Sequence, residues 1–139
     1  LKVGICAWNL KQELLQSIRT AGELGADCVQ LMAAGGHFPW PPDRQTMDRV
    51  SAAAGEAGVE IASFAGGFGN LAQEGKLDER LDWAKSVVAL AGDMGVGIVT
   101  SHVGVIPDDL DSPQGAAMLS QLEKLGTEAQ QRGLKMGME

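Results

Sequence analysis

Apolar positions along this chain follow two alternating rhythms. Met47, Val50, Ala54 and Ala57 fall three or four apart, as do Leu77, Leu81, Ala84, Val88 and Ala91, and again Met118, Leu122, Leu125 and Ala129. Each set makes one stripe along a helix of 3.6 residues per turn. Between and before the stripes stand short apolar runs at 3–8, 28–32, 59–64, 98–101 and 134–138, of strand length and rich in Val, Ile and Met. The predicted order is a strand followed four times by a helix and a strand.

Glycine punctuates this order. Ala21-Gly22-Glu23-Leu24-Gly25-Ala26-Asp27 is echoed by Ala54-Gly55-Glu56-Ala57-Gly58-Val59-Glu60, by Ala91-Gly92-Asp93-Met94-Gly95-Val96-Gly97 and more loosely by the segment ending Arg132-Gly133-Leu134. The glycines at 25, 58, 95 and 133 are spaced by 33, 37 and 38 residues, which marks a repeated supersecondary unit. A glycine at that place stops a helix in the left-handed conformation and lets the chain turn into the next strand. Repeated helix–strand units argue for an α/β fold with parallel strands and right-handed connections; the β-rich runs weigh against a helical solenoid. Ser112-Pro113 has the form of an N-cap and first helical residue, and Asn9 with Gln12 resembles a capping box. A (β/α)8 barrel takes about 250 residues. The expected architecture is therefore the first half of such a barrel (β1–β5), one partial domain over residues 1–139 ending after the fifth strand. The alternative is an open doubly wound sheet. The first strand–helix turn, Trp8-Asn9-Leu10-Lys11, lacks the phosphate-cradling glycines of that class.

Composition narrows the function classes. With 45% hydrophobic and 21% charged residues among 139, the chain can bury one core. Its 11 basic and 18 acidic residues give a net charge of −7, the wrong sign for a nucleic-acid partner. Cys6 and Cys28 have no ligand or scaffold spacing and read as buried free thiols within strands. No run of eighteen apolar residues or signal-like opening is present, so no membrane partner and a cytoplasmic location are expected.

In parallel α/β folds the working groups sit at the C-terminal ends of strands. That rule selects Trp8 and Asn9, residues 33–40, residues 66–70, residues 101–104 and Glu139, a set that holds both histidines. His102 is suited to a divalent metal or to donating to a substrate oxygen, or is satisfied by neighbouring backbone. His37 sits in a glycine- and aromatic-rich loop, as a lid contact or an ordinary surface residue. Glu139 offers a carboxylate to a hard cation or as a base. Trp8 could wall a sugar ring, and Trp83 packs against a neighbour. Gly66-Gly67-Phe68-Gly69 lacks dinucleotide-binding spacing and reads as a loop over a pocket. Asp108, Asp109 and Asp111 lack calcium-loop spacing and precede a helix start, where acids suit the dipole.

Val3-Gly4-Ile5-Cys6, the Gly-x-Asp-x-Val-Gln-Leu turn from Gly25 to Leu31, the segment Thr100-Ser101-His102-Val103-Gly104-Val105-Ile106-Pro107, and Gly133-Leu134-Lys135-Met136-Gly137-Met138-Glu139 occur in this order. Together they resemble the xylose-isomerase-like sugar phosphate isomerase/epimerase family of TIM barrels, over the whole chain but onto only the first half of the family's barrel. The resemblance implies a divalent cation (manganese, magnesium, cobalt or zinc) held after strands five to eight by a glutamate, an aspartate, a histidine and a glutamate. Glu139 matches the first; the other three have no counterpart here. It further implies that His102 lines the pocket of a small sugar or sugar phosphate, with Trp8 and Phe68 as walls. The implied chemistry is proton transfer next to a carbonyl through an enediolate. One carboxylate cannot form that site, so the isolated chain is expected to be inactive. A non-catalytic half-barrel that binds or assembles, as a homo-oligomer through its edge strands, is the alternative. An apurinic-site endonuclease-like hydrolase ranks lower, because its zinc cluster needs more than two histidines.

Overall fold

In the computed structural model, which describes residues 1–35, 37–72 and 75–139, the four repeat glycines do what their spacing requires. Gly25, Gly58, Gly95 and Gly133 have φ of +79°, +67°, +70° and +70°, each with open space where a Cβ would stand. Each turns a helix into a strand. The strands are β1 (Gly4–Cys6), β2 (Cys28–Met32), β3 (Glu60–Ala65), β4 (Ile98–Ser101) and β5 (Lys135–Met138). The helices are α1 (Leu14–Glu23), α2 (Arg44–Ala57), α3 (Leu77–Asp93) and α4 (Pro113–Gln131).

Two helices begin on side-chain caps. Ser112 Oγ accepts from the Gly115 N–H at 3.1 Å with Pro113 in the first turn, and Asp43 accepts from the Thr46 N–H at 2.7 Å. The capping box expected at Asn9 does not form. Residues Ala7–Leu10 make a 3₁₀ turn that tucks Ala7 fully into the core, and α1 starts only at Leu14, after Lys11 in the left-handed region at φ 54°.

All strand pairs are parallel, and their spatial order is β1-β2-β3-β4-β5. Right-handed crossovers that always step the same way lay every helix on one face of the sheet. A doubly wound sheet needs a reversal of order, and none occurs, so that alternative falls and the half-barrel stands.

The two faces differ in chemistry. Val29, Leu31, Phe64 and Val99 are fully buried towards the helices, joined by Ile18, Val50, Val87 and Leu125 and by Phe38, whose ring meets Phe64 edge-on at 5.6 Å. Burying each such side chain contributes about 1.5–3 kcal/mol. The alternate positions Gln30, Ser63, Ala65, Thr100 and Gly137, paired across neighbouring strands, share the opposite, inner face and are small or polar. Cys6 and Cys28 share register with this face and are half-buried, not core residues as expected. Among the described residues, no helix is long and apolar enough to cross a membrane.

Candidate functional site

The β4–β5 register builds the centre of the site. Ser101 is paired with Met138, so the residues just beyond, His102 and Glu139, come side by side. The ladder continues there, with the Glu139 N–H donating to the Ser101 carbonyl at 3.0 Å and the Val103 N–H to the Glu139 carbonyl at 3.3 Å. By strand alternation both side chains follow Thr100 and Gly137 onto the inner face. His102 Nε2 lies 3.5 Å from Glu139 Oε2, ion-pair distance but longer than a charge-assisted hydrogen bond. With 83% and 53% of these side chains exposed, the pair adds little to stability. Its groups are free to meet a ligand.

A cleft of about 110 Å³ opens beside this pair, lined by Trp8, Gln30, Ala65, Gly67, Thr100 and both its members. Trp8, half-buried on the 3₁₀ turn after β1, is the apolar wall. The floor is polar. Gln30 reaches from β2 across β3 to β4, where its Nε2 donates to Thr100 Oγ1 at 2.9 Å, while Cys6 Sγ lies 3.5 Å from its Oε1.

Backbone bonds stitch the rim. The Ala33 N–H donates to the Ala65 carbonyl, the Gly66 N–H to Thr100 and the Leu71 N–H to Val103. Ser101, only 4% exposed, accepts from the Phe68 N–H at 2.9 Å and donates to the His102 carbonyl at 3.1 Å. Trp83 packs against Trp40 at 4.4 Å and donates its indole N–H to the Gly66 carbonyl, which anchors the loop after β3. Of the aspartates before α4, Asp109 shapes the turn: its side chain accepts from the Asp111 N–H and its carbonyl from Ser112 Oγ.

Trp8, His102 and Glu139 thus come together, whereas Phe68 and His37 lie elsewhere. Phe68 is buried, its ring filling the space where a Cβ on Gly66 would stand. His37 faces a separate hollow of about 310 Å³ between the starts of α1 and α2, with Glu13, Thr46 and Arg49. Burial pushes its imidazole below the ordinary value, outweighing the nearby Gln12 backbone and Glu13 carboxylate, which act the other way. A larger hollow of about 400 Å³ lies at the opposite end of β3 and β4; its one charged lining residue, Glu60, is paired with Lys2. Of these hollows, the smaller cleft is the one that joins His102 and Glu139 at the C-terminal ends of the strands.

Gln30 and Thr100 were missed in the sequence, although polar residues inside apolar strand runs were a usable signal for an inner face; Ser101 lay within the selected residues 101–104. Among the described residues, no three His, Cys, Asp or Glu side chains are grouped to hold a metal. Glu139 suits one ligand position of a hard cation, but a shell of four to six donors needs groups beyond this cleft.

A model of the xylose isomerase-like TIM barrel family matches residues 18–139. No curated protein sequence matches the chain. Among solved structures, a xylose isomerase domain protein from Planctomyces limnophilus superposes with a TM-score of 0.81 at 18% identity, over 99% of this chain and 53% of its own. D-psicose 3-epimerase from Clostridium cellulolyticum H10, with D-tagatose, gives 0.76 at 16% identity, over 98% and 51%. A xylose isomerase-like TIM barrel protein from Mycobacterium smegmatis, in complex with magnesium, gives 0.69 at 16% identity, over 89% and 45%. The chain spans about half the length of these structures.

Proposed function

The chain belongs to the xylose isomerase-like TIM barrel family, and we propose that it forms one part of a divalent-metal-dependent isomerase or epimerase acting on a small sugar or sugar phosphate. The observation that carries this reading is the His102–Glu139 pair on the inner rim beside an apolar wall and a polar floor. Wall and floor suit a sugar, which has an apolar ring face and many hydroxyls. The D-tagatose bound by one structural neighbour and the magnesium held by another support the substrate class and the cation.

Glu139 offers its carboxylate as one ligand to manganese, magnesium, cobalt or zinc. Such a cation, when bound, polarises a ketose carbonyl and makes the neighbouring C–H more acidic. His102, with its Nε2 3.5 Å from Glu139 Oε2, stands where its ring can meet a sugar hydroxyl. Trp8 excludes water from one side of the ring. An enediolate path would need a carboxylate to take the C–H proton and return it to the neighbouring carbon; among the described residues, Glu139 is the one carboxylate in this cleft that would serve, as base or as cation ligand. A zinc-cluster hydrolase is poorly served, because His37 faces a different hollow from His102.

The test is turnover of D-tagatose, D-fructose and other ketohexoses by the full-length protein with each cation, and by Glu139→Gln and His102→Ala. The variants should lose at least ~10²-fold in kcat/KM, and the 139-residue chain alone should be inactive. Undiminished turnover by Glu139→Gln would remove the reading.

A further inference from the structure

We propose that Gln30 and Thr100 form a hydroxyl-recognising floor, a pair of preset donors that binds one oxygen of the sugar and helps to choose which sugar is accepted. This deepens the isomerase reading and rests on it. Neither residue is needed to hold the sheet, whose strands are already paired through their backbones. Yet a glutamine side chain spans β3 to reach the next strand but one, Nε2 to Thr100 Oγ1 at 2.9 Å. Fixing so flexible a side chain gives up about as much rotamer freedom as one neutral hydrogen bond returns. A strand clamp alone is therefore a poor reason for it.

Counting donors gives a better one. The Gln30 amide has two protons on Nε2, and one goes to Thr100. The Thr100 hydroxyl accepts that bond and keeps its own proton. Among the described residues neither the second amide proton nor the hydroxyl proton has an acceptor, and both residues line the cleft. Cys6 contacts the far side of the amide, Sγ to Oε1 at 3.5 Å, which opposes its rotation. Two oriented donors, held by neighbouring side chains and facing the space beside Trp8, His102 and Glu139, are the arrangement that recognises a hydroxyl or carbonyl oxygen with little reorganisation. A ligand lacking an oxygen there would leave both donors unpaired, which is how a polar site rejects it.

The experiment uses the full-length protein with magnesium, which is diamagnetic, and D-tagatose, with D-fructose as a second probe. The assigned side-chain amide protons of Gln30 should shift on titration. Thr100→Val, close to isosteric, should raise KM three- to tenfold with kcat changed less than threefold, and Thr100→Ser should restore KM. If the sugar turns over but the Gln30 amide does not move and Thr100→Val leaves KM unchanged, the floor is a strand clamp only and the isomerase reading survives. If neither D-tagatose nor D-fructose nor any other ketose or ketose phosphate binds the wild type, both fall together. Should Thr100→Val not fold, the wild-type amide titration decides: a shift supports the floor, and a static resonance in bound protein overturns it.

Discussion

Replacing Gly104 with alanine adds one methyl group at a place where two independent costs can be read off. The residue has φ +92°, and a left-handed backbone costs an L-residue about 1–2 kcal/mol. The new Cβ would also stand 2.5 Å from Asn70 Cγ and Oδ1 and 2.6 Å from its Cα. Asn70 cannot easily withdraw. Its side chain accepts from the Ala72 N–H at 2.9 Å, its carbonyl accepts from Arg80 Nη1 at 2.8 Å, and the next N–H, that of Leu71, is bonded to Val103 at 2.9 Å. Overpacking of this kind costs roughly 1–3 kcal/mol, so Gly104→Ala should lose about 2–5 kcal/mol in all. Gly25→Ala is the control, since Gly25 has φ +79° and nothing within 4 Å of a Cβ, which leaves only the backbone cost of about 1–2 kcal/mol. Urea midpoints followed by tryptophan fluorescence, at constant slope, measure both. If Gly104→Ala costs no more than Gly25→Ala, the loops after β3 and β4 are not locked together, and the rim around His102 is looser than described.

Ser101→Ala should cost about 1–3 kcal/mol, because it orphans the N–H of the buried Phe68; an unchanged urea midpoint would mean that water replaces the hydroxyl. Ser112→Ala should cost about 1 kcal/mol by uncapping α4, and Ser112→Asp should recover most of it in the same assay. His37 gives a pH dependence of stated sign. Burial holds its folded pKa below the ordinary imidazole value of 6.5, so its contribution is intact above pH 6.5 and is lost as pH falls through the folded value. Urea midpoints between pH 7.5 and 5 should therefore fall less for His37→Leu than for the wild type, and equal slopes would place the titration elsewhere.

The half-barrel was legible because its punctuation is chemical. A glycine that must take positive φ appears in the sequence as a glycine, and at 25, 58, 95 and 133 each lies just ahead of a strand. Residues 28–32 and 98–101 coincide with β2 and β4 because their β-branched and sulfur-bearing residues begin just after Asp27 and Gly97. The start of α1 was not legible. Asn9 has the right residue type for a cap, but the burial of Ala7 turns the chain into a 3₁₀ segment first, a tertiary demand that a local motif does not record. The choice between half-barrel and doubly wound sheet depended on strand order, which the sequence left open between two architectures built from the same units.

The site was legible only where the rule of strand ends applies, and the structure gives the reason. His102 and Glu139 are far apart in the chain, but each is the first residue past a paired strand, and the β4–β5 register makes them neighbours. His37 satisfied the same rule loosely, as a loop residue after β2, and the loop carries it over the helix side to the hollow between α1 and α2. Gln30 and Thr100 escaped the rule because they lie inside strands, one step below the rim. Their signal is alternation: Val29 and Leu31 flank Gln30, and Val99 precedes Thr100, so one side of each strand is buried against the helices while the other carries polar groups. In β2 and β4 the sheet thus separates two tasks. Helix-facing residues supply stability, and the inner residues Gln30 and Thr100 of the same strands line the cleft.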